Sequence, residues 1–406
     1  MKYLAVLGRQ PEISIAELNI RYGGSWHQVS FSGRSGALAQ VLGPSKDTLM
    51  PPAIAHLGGT IKLAVELEQK PLEYLQSLPE GKITLGVSDY SEKASKRTAQ
   101  TEALKLKKIL VRHGRSVRVV ENKDAVLSTA ASLHNGLSGK NERKVELIKV
   151  DNEWFRVIGV QDIDAYARRD QARPARDAKV GMLPPKLAQI LINLCGPLRP
   201  GATVLDPFCG TGVVLQEALL MGYCAYGTDI NDRMIEYTEK NLQWLSEKYI
   251  LSGTGVAPAR RYGRRAPRVL GRNLRSVPES SIFSLSQGDA TSFQWSEPID
   301  AVACEGYLGK PFAKIPSEME LKEQKQECGA IVLGFLKNLA SQIKKNTPVV
   351  IAVPAWLREN GEYERLEIID KIEELGYNVE DKSREGLLYH REDQVVARDI
   401  IILRKK

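Results

Sequence analysis

The chain has 406 residues, of which 43% are hydrophobic, so it is long enough for two or three domains with cores of their own. Its 57 Lys and Arg residues outnumber its 49 Asp and Glu residues, and the net charge of +8 favours a polyanionic partner. No segment approaches the roughly 20 apolar residues that cross a bilayer, and the N-terminal apolar run is too short for a signal peptide. We therefore expect a cytoplasmic protein that does not enter a membrane.

Cysteine and histidine positions argue against a metal centre. The five cysteines contain no C-x-x-C pair, which excludes the usual zinc and disulfide patterns and predicts buried apolar thiols. All five histidines lie outside residues 135–389. That range therefore has no imidazole for base or metal chemistry, and we expect no metal site.

The first 160 residues alternate between strand and helix patterns. Strands are predicted at 2–7, 36–42, 60–67, 83–87, 116–120, 145–150 and 153–160. Helices are predicted at 11–22, 94–113 and 124–134. We divide this part into an N-terminal α/β unit over 1–75 and a second module over 76–163, followed by a linker over 164–185.

One predicted helix, 94–113, is strongly basic. Glu92 and Glu102 are the only acidic residues near seven cations around its apolar stripe. These cations are Lys93, Lys96, Arg97, Lys105, Lys107, Lys108 and Arg112. Most charged helix faces are only solvated. The excess of cations over acids here favours phosphate contacts about as strongly as simple solvation.

Residues 204–212, Val-Leu-Asp-Pro-Phe-Cys-Gly-Thr-Gly, predict a strand, a glycine turn and a helix start. Gly210 and Gly212 let the backbone approach a ligand, and Asp206 stands at the carboxyl end of the strand, where open α/β sheets bind ligands. Asp229 ends the next strand, at the spacing from which an acidic residue accepts hydrogen bonds from ribose hydroxyls. The third glycine of G-x-G-x-x-G is missing, which argues against a pyrophosphate cradle. The alternative is a turn that serves packing only.

Two further segments follow. Seven arginines fall within residues 260–275, which predicts either a loop that contacts nucleic acid or a solvated insertion. Asp289, in Gln-Gly-Asp-Ala, is another acidic residue at a strand end, or else a simple turn aspartate. The carboxyl third predicts a strand at 349–354, a helix at 361–375 and two strands near 385–404.

The block from Asp206 to Gly212 resembles motif I of S-adenosylmethionine-dependent methyltransferases that act on amino groups of nucleic acids. Residues 173–188, from Arg-Pro to Met-Leu-Pro-Pro-Lys-Leu-Ala, resemble the tRNA guanosine-10 N2-methyltransferase family. The resemblance implies an α/β protein with a C-terminal doubly wound class I (Rossmann-like) methyltransferase sheet over 186–406. Smaller α+β RNA-binding units (THUMP-like) would precede that sheet.

The resemblance also implies ligands and partners. The cofactor would be S-adenosyl-L-methionine and the partner tRNA, while some members of the family need a small activating protein; the oligomeric state stays open. Asp206 and the glycine turn would hold the methionine part, Asp229 the ribose and Asp289 the adenine. The full set implied for the cofactor is Met182, Leu183, Pro184, Asp206, Pro207, Phe208, Cys209, Gly210, Thr211, Gly212, Asp229, Ile230, Asp289 and Ala290. For Met182 to Pro184 the alternative is a linker without ligand contact.

The catalytic motif departs from the family pattern. The family has D-P-P-Y after the fourth strand of the sheet, and here the strand over 299–304 is followed by Glu305-Gly306-Tyr307-Leu308. Glu305 would accept a hydrogen bond from the target amine and Tyr307 would contact the base, although both prolines are absent and the aromatic residue comes one position early. The leading interpretation is a tRNA guanine-N2 methyltransferase. The alternatives are a DNA adenine or cytosine amino-methyltransferase and a non-catalytic RNA-binding protein with a methyltransferase fold.

Overall fold

The computed structural model describes residues 2–23, 26–29, 38–42, 53–177, 182–251, 282–391 and 394–406. The chain divides into two compact units, Met1–Ala165 and Tyr166–Lys406. Across the described ranges, no helix combines the length and the apolar character needed to cross a membrane. The predicted arginine-rich segment 260–275 lies outside the described residues.

The first unit contains one eight-stranded sheet. Its strands are β1 (Lys2–Leu7), β2 (His27–Val29), β3 (Leu38–Leu42), β4 (Thr60–Glu66), β5 (Ile83–Asp89), β6 (Val117–Val119), β7 (Lys144–Val150) and β8 (Glu153–Val160). The order is β2-β3-β1-β4-β8-β7-β5-β6, antiparallel except for the parallel set β7-β5-β6. Strands from both predicted N-terminal segments belong to this sheet, and the division at 75/76 stays a prediction.

Helices of the first unit are α1 (Pro11–Tyr22), α2 (Pro71–Ser77), α3 (Lys96–Arg112) and α4 (Thr129–His134). Helix α3 begins at a capping box, in which the Ser95 side chain accepts from the Thr98 amide and Thr98 accepts from the Ser95 amide. Its apolar side, with Ala103 and Leu110 fully buried, packs on the parallel strands. Its cations are left at the surface.

Helix α5 (Ile163–Gln171) has its first three residues in the first unit, which ends at Ala165, and the rest in the second unit. The second unit contains a nine-stranded sheet. The strands are β9 (Thr203–Asp206), β10 (Cys224–Asp229), β11 (Phe283–Gln287), β12 (Ala301–Glu305), β13 (Pro348–Leu357), β14 (Tyr363–Arg365), β15 (Tyr377–Val379), β16 (Leu388–Tyr389) and β17 (Val396–Lys405). The helices are α6 (Pro185–Leu194), α7 (Val213–Leu220), α8 (Asp232–Leu245), α9 (Glu318–Ala340) and α10 (Ile369–Glu374). A π-helical turn, Ser246–Leu251, continues α8.

The order of the second sheet is β11-β10-β9-β12-β13-β17-β15, and β17 runs antiparallel to both of its neighbours. The other connections between adjacent strands on this path are parallel. If only the seven strands of this path are numbered, in chain order, the order is 3-2-1-4-5-7-6, a doubly wound sheet with an antiparallel strand inserted near one edge. Strand order reverses between β9 and β12, and open α/β sheets bind ligands at such a reversal.

The core of the second unit forms because both faces of the sheet are covered. Nearly all of β13 is buried, as expected for a central strand of a parallel sheet. On one face Phe335 of α9 packs edge to face against Phe208, with ring centroids 5.3 Å apart. This packing fixes the residue that follows Asp206-Pro207 at the strand end.

Two predicted helices differ in the structure. The prediction over 361–375 was wrong for its first half, because Tyr363–Arg365 is a strand paired with Ala355–Leu357 and only Ile369–Glu374 is helical. The signal missed was Asn360-Gly361, a hairpin dipeptide whose glycine has φ +84°. The helix predicted over 124–134 begins only at Thr129, after the Ser128 cap.

Candidate functional site

Three carboxylates stand at the carboxyl ends of three adjacent strands. Asp229 ends β10, Asp206 ends β9 and Glu305 ends β12, in the order β10-β9-β12. They therefore line the edge of the sheet where the strand order reverses. The structure thus brings together the acidic residues that the sequence predicted from separate segments.

The glycine turn after β9 has a left-handed backbone at both glycines. Gly210 has φ +51° and Gly212 has φ +80°, and a Cβ on Gly212 would lie 2.8 Å from Thr238 Cγ2. The Gly210 amide donates to Asp229 Oδ2 at 2.9 Å, and Thr238 Oγ1 donates to the Gly210 carbonyl at 2.8 Å. The turn is therefore held from both sides and presents backbone without side chains.

Asp206 is almost fully buried and accepts from the Phe208 amide at 3.1 Å. Burial raises the pKa of its carboxyl well above the usual range, and the nearby Asp229 and Glu305 raise it further. The pKa of Asp229 is also raised by burial, although the amides of Gly210 and Asn231 favour its charged form. A ligand that donates hydrogen bonds or carries positive charge would reduce the electrostatic repulsion between these carboxylates.

Sequence reasoning missed Asn241, which joins two parts of the site. It is fully buried on α8; its Oδ1 accepts from the Ala175 amide, and its Nδ2 donates to the carbonyls of Ala175 and Thr211, each at 2.9 Å. The family-like segment before α6 is thereby fastened to the glycine turn. The available signal was an amide side chain directly before the apolar Leu242 of an amphipathic helix.

Residues 182–184 lie directly before α6, with Pro184 at its N-cap position. Leu183 is buried, and Met182 and Pro184 are half-buried. The Arg173 guanidinium contacts Met182 Sδ at 3.2 Å. Their contact with a cofactor stays a prediction.

The other motif I residues divide into buried and accessible groups. Cys209 and Thr211 are buried, and Phe208 is half-buried against the core. The Pro207 carbonyl accepts from Thr228 Oγ1 at 3.4 Å. These side chains support the turn, so any ligand contact there is made chiefly by backbone atoms.

The residues predicted to face the adenosine part differ in exposure. Ile230, directly after Asp229, exposes 67% of its surface. Asp289 is exposed and accepts from both the amide and the hydroxyl of Thr291, which lowers its pKa. Ala290 is buried, and its carbonyl accepts from Asn338. Asp289 therefore stabilises a turn, and its predicted role toward adenine stays a prediction.

Glu305 forms an ion pair that the sequence analysis did not anticipate. Its Oε1 accepts from Nε of Arg398 on β17, and both side chains are largely buried. Oε2 of Glu305 has no donor among the described residues. The missed signal was the charged pair Arg398-Asp399 directly before the apolar run 400–403 of β17.

The loop after Glu305 is fastened at several points. The Gly306 amide donates to the Ala352 carbonyl at 2.9 Å, so the strand pairing continues past β12. The Lys310 amide donates to Gln324 Oε1 of α9 at 2.7 Å. Tyr307 is half-buried against the core near Glu327, which together with burial raises the pKa of its hydroxyl. Contact of Tyr307 with a base stays a prediction.

Described side chains offer no cluster of three or more His, Cys, Asp or Glu residues able to hold a metal ion. Of the five cysteines, all unpaired, four are buried and Cys224 is half-buried.

Strand order and site together define a class I methyltransferase domain. A family model described as UPF0020, the RMKL-like methyltransferase domain, matches residues 173–324, which include the segment before α6, the glycine turn and Glu305. Residues 173–324 are therefore similar to that domain family.

The curated relatives that match parts of the chain are named as tRNA methyltransferases. The tRNA (guanine(10)-N2)-dimethyltransferase of Methanothermobacter thermautotrophicus is 49% identical over 76 residues, 18% of this chain and 22% of that protein. The enzyme of the same name from Methanocaldococcus jannaschii is 26% identical over 208 residues, 49% of this chain and 58% of that protein. The chain thus spans between about a fifth and three fifths of the relatives it matches. Among solved structures, TrmN from Thermus thermophilus aligns over 100% of both chains at 14% identity, with a TM-score of 0.46.

Proposed function

We propose that the chain is an S-adenosylmethionine-dependent tRNA methyltransferase that acts on an exocyclic amine, guanine N2 at position 10. The observation that carries the proposal is the placement of Asp229, Asp206 and Glu305 on adjacent strand ends at the reversal point. The names of the relatives support tRNA as the partner. We further propose a cytoplasmic location and a THUMP-like RNA-binding role for the first unit.

The residues present fit the cofactor. The turn from Gly210 to Gly212 offers side-chain-free backbone, and Asp229 can accept from ribose hydroxyls with lone pairs that its two amide partners leave open. Ile230 offers an exposed apolar surface beside Asp229 for a flat aromatic base. S-adenosylmethionine would supply an electrophilic methyl group on a sulfonium.

Glu305 Oε2 has the role of acceptor for the target amine. The guanine amine is a poor nucleophile because its lone pair is delocalised into the ring, so an acceptor that orients its hydrogens exposes the lone pair to the methyl group. When bound, the cofactor would supply the methyl group for a new N–C bond, and the electron pair of the C–S bond would stay on its sulfur. The nitrogen then releases its proton to Glu305 and on to solvent.

The test is transfer of labelled methyl from S-adenosylmethionine to bulk tRNA, followed by mapping of the modified nucleotide. We expect incorporation at guanine N2, with Glu305→Ala losing about 100-fold or more in rate, the range of a positioned acid or base. Incorporation into DNA but not tRNA would favour the DNA enzyme. Cofactor binding with no transfer would favour a non-catalytic RNA-binding protein.

A further inference from the structure

Arg398 is the cation in direct contact with the acidic cluster at the reversal point. It lies on β17, two strands away from β12, and reaches across β13 to Glu305. Its neighbour Asp399 alternates to the opposite side of the sheet, where Arg384 and Arg365 pair with it. The charges of Arg398 and Asp399 therefore belong to separate networks, and of these two only Arg398 contacts Glu305.

The two carboxylate oxygens of Glu305 have different hydrogen-bond partners. Oε1 is occupied by Arg398 Nε, whereas Oε2 receives no donor from the described residues, and the side chain keeps 17% of its surface exposed. A carboxylate held at one oxygen cannot rotate freely, so the other oxygen points in a fixed direction. In the family pattern a proline follows the acidic residue and would restrict the backbone there. In this chain Gly306 stands at that position.

The charges around Glu305 are a second reason for its ion pair with Arg398. Arg398 of β17 contacts Glu305, and Asp206 ends the neighbouring strand β9. Removing the guanidinium would leave a partly buried carboxylate near a second one with no cation in contact, and burial and a neighbouring carboxylate both favour the protonated form. A protonated carboxyl cannot take up the proton released by the methylated nitrogen.

We propose that Arg398 is a positioning residue that keeps Glu305 ionised and aims its Oε2 at the target amine. This inference rests on the proposed function for the identity of the amine, but the pairing can be measured independently. It adds a residue from the antiparallel strand to a site otherwise built at the ends of parallel strands.

The first measurement does not depend on activity. In infrared difference spectra near pH 6.5, we expect Arg398→Met to gain a protonated carboxyl band relative to the wild type. The Glu305→Gln/Arg398→Met double variant should lack this additional band. The matched control is Arg404→Met, because Arg404 lies on the same strand and pairs through Nε with Glu380 at 2.6 Å. Absence of the band in Arg398→Met would overturn the inference.

The second measurement is the pH profile of methyl transfer. We expect Arg398→Met to lower kcat about 30-fold at pH 6.5 and about fivefold at pH 8.5, with KM for S-adenosylmethionine unchanged. Arg398→Lys should recover most of the rate, and Arg404→Met should match the wild type. On the Glu305→Gln background, Arg398→Met should have little further effect. An equal loss at both pH values and on both backgrounds would show a purely structural role. If the infrared band behaves as expected but the wild type methylates no tRNA, the pairing stands and the proposed function is wrong.

Discussion

Ile230 shows how a single exposed side chain bears on the cofactor site. Ile230 is 67% exposed, so most of its apolar surface is not buried by folding. That surface becomes a favourable contribution only when a ligand removes it from water. Under the proposed function that cover is the adenine ring. The side chain contributes to binding and little to folding.

We therefore expect Ile230→Ser to weaken S-adenosylmethionine binding by roughly tenfold, since partial burial of such a side chain stabilises by about 1.5 kcal/mol. Calorimetric titration measures the Kd, and urea unfolding should show an unchanged free energy. Leu104→Ser, at a residue 49% exposed in the first unit, is the control and should change neither quantity. A destabilised Ile230→Ser with normal affinity would contradict the role.

Gly212 permits a second test at the residue scale. An alanine there must adopt a left-handed backbone and also place its Cβ 2.8 Å from Thr238, whereas at Gly201, with φ +73°, nothing lies within 4 Å. The left-handed cost alone is about 1 to 2 kcal/mol. We expect Gly201→Ala to lose that amount by urea unfolding and Gly212→Ala to lose more and to bind the cofactor weakly. Equal losses would mean that Thr238 moves aside.

Helix α8 holds the site together through one buried amide. Asn241→Asp keeps the acceptor for the Ala175 amide but replaces the group that donates to two carbonyls with an oxygen. An unsatisfied buried donor or acceptor costs about 1 to 3 kcal/mol.

We expect Asn241→Asp to lower both the free energy of unfolding and the affinity for S-adenosylmethionine, because the glycine turn loses its link to residues 173–177. The control is Asn122→Asp in the first unit, where a fully buried amide also donates to two carbonyls, those of Val87 and Ala125. That variant should lose stability and keep its affinity. Normal cofactor binding by Asn241→Asp would exclude the proposed coupling.

Elements with strong local signals were predictable from the sequence. The glycine turn and the strand ends at Asp206 and Asp229 follow from glycine chemistry and apolar runs, and their neighbouring positions follow from the parallel sheet. The Glu305 to Arg398 pair was not predictable, because its residues are separated by 93 positions and meet only through the β12-β13-β17 order. The helix predicted over 361–375 failed for a local reason, since pairing to β13 outweighed helix propensity.

At the scale of the whole molecule, the basic helix α3 and the candidate cofactor site lie in different units. In the first unit one cleft near the start of α3 is lined by four cations and two acids. The cations are Lys93, Arg97, Lys105 and, from β7, Lys149; the acids are Asp89 and Glu102. The sequence predicted the basic helix but not the contribution of Lys149, which depends on β7 lying parallel beside β5. Such a cleft suits phosphate groups better than a neutral ligand.

The triple variant Lys93→Ala/Arg97→Ala/Lys149→Ala is expected to weaken tRNA binding and to reduce the slope of log affinity against log salt by about 2, since each phosphate contact contributes about 0.7 to 0.9. Filter binding at several salt concentrations measures both. S-adenosylmethionine affinity should stay unchanged because the proposed cofactor residues all lie in the second unit. The matched control replaces three exposed lysines of that unit, Lys337, Lys344 and Lys345, with alanine. If both triple variants lose the same salt dependence, tRNA responds to overall charge, and the cleft is not a binding surface.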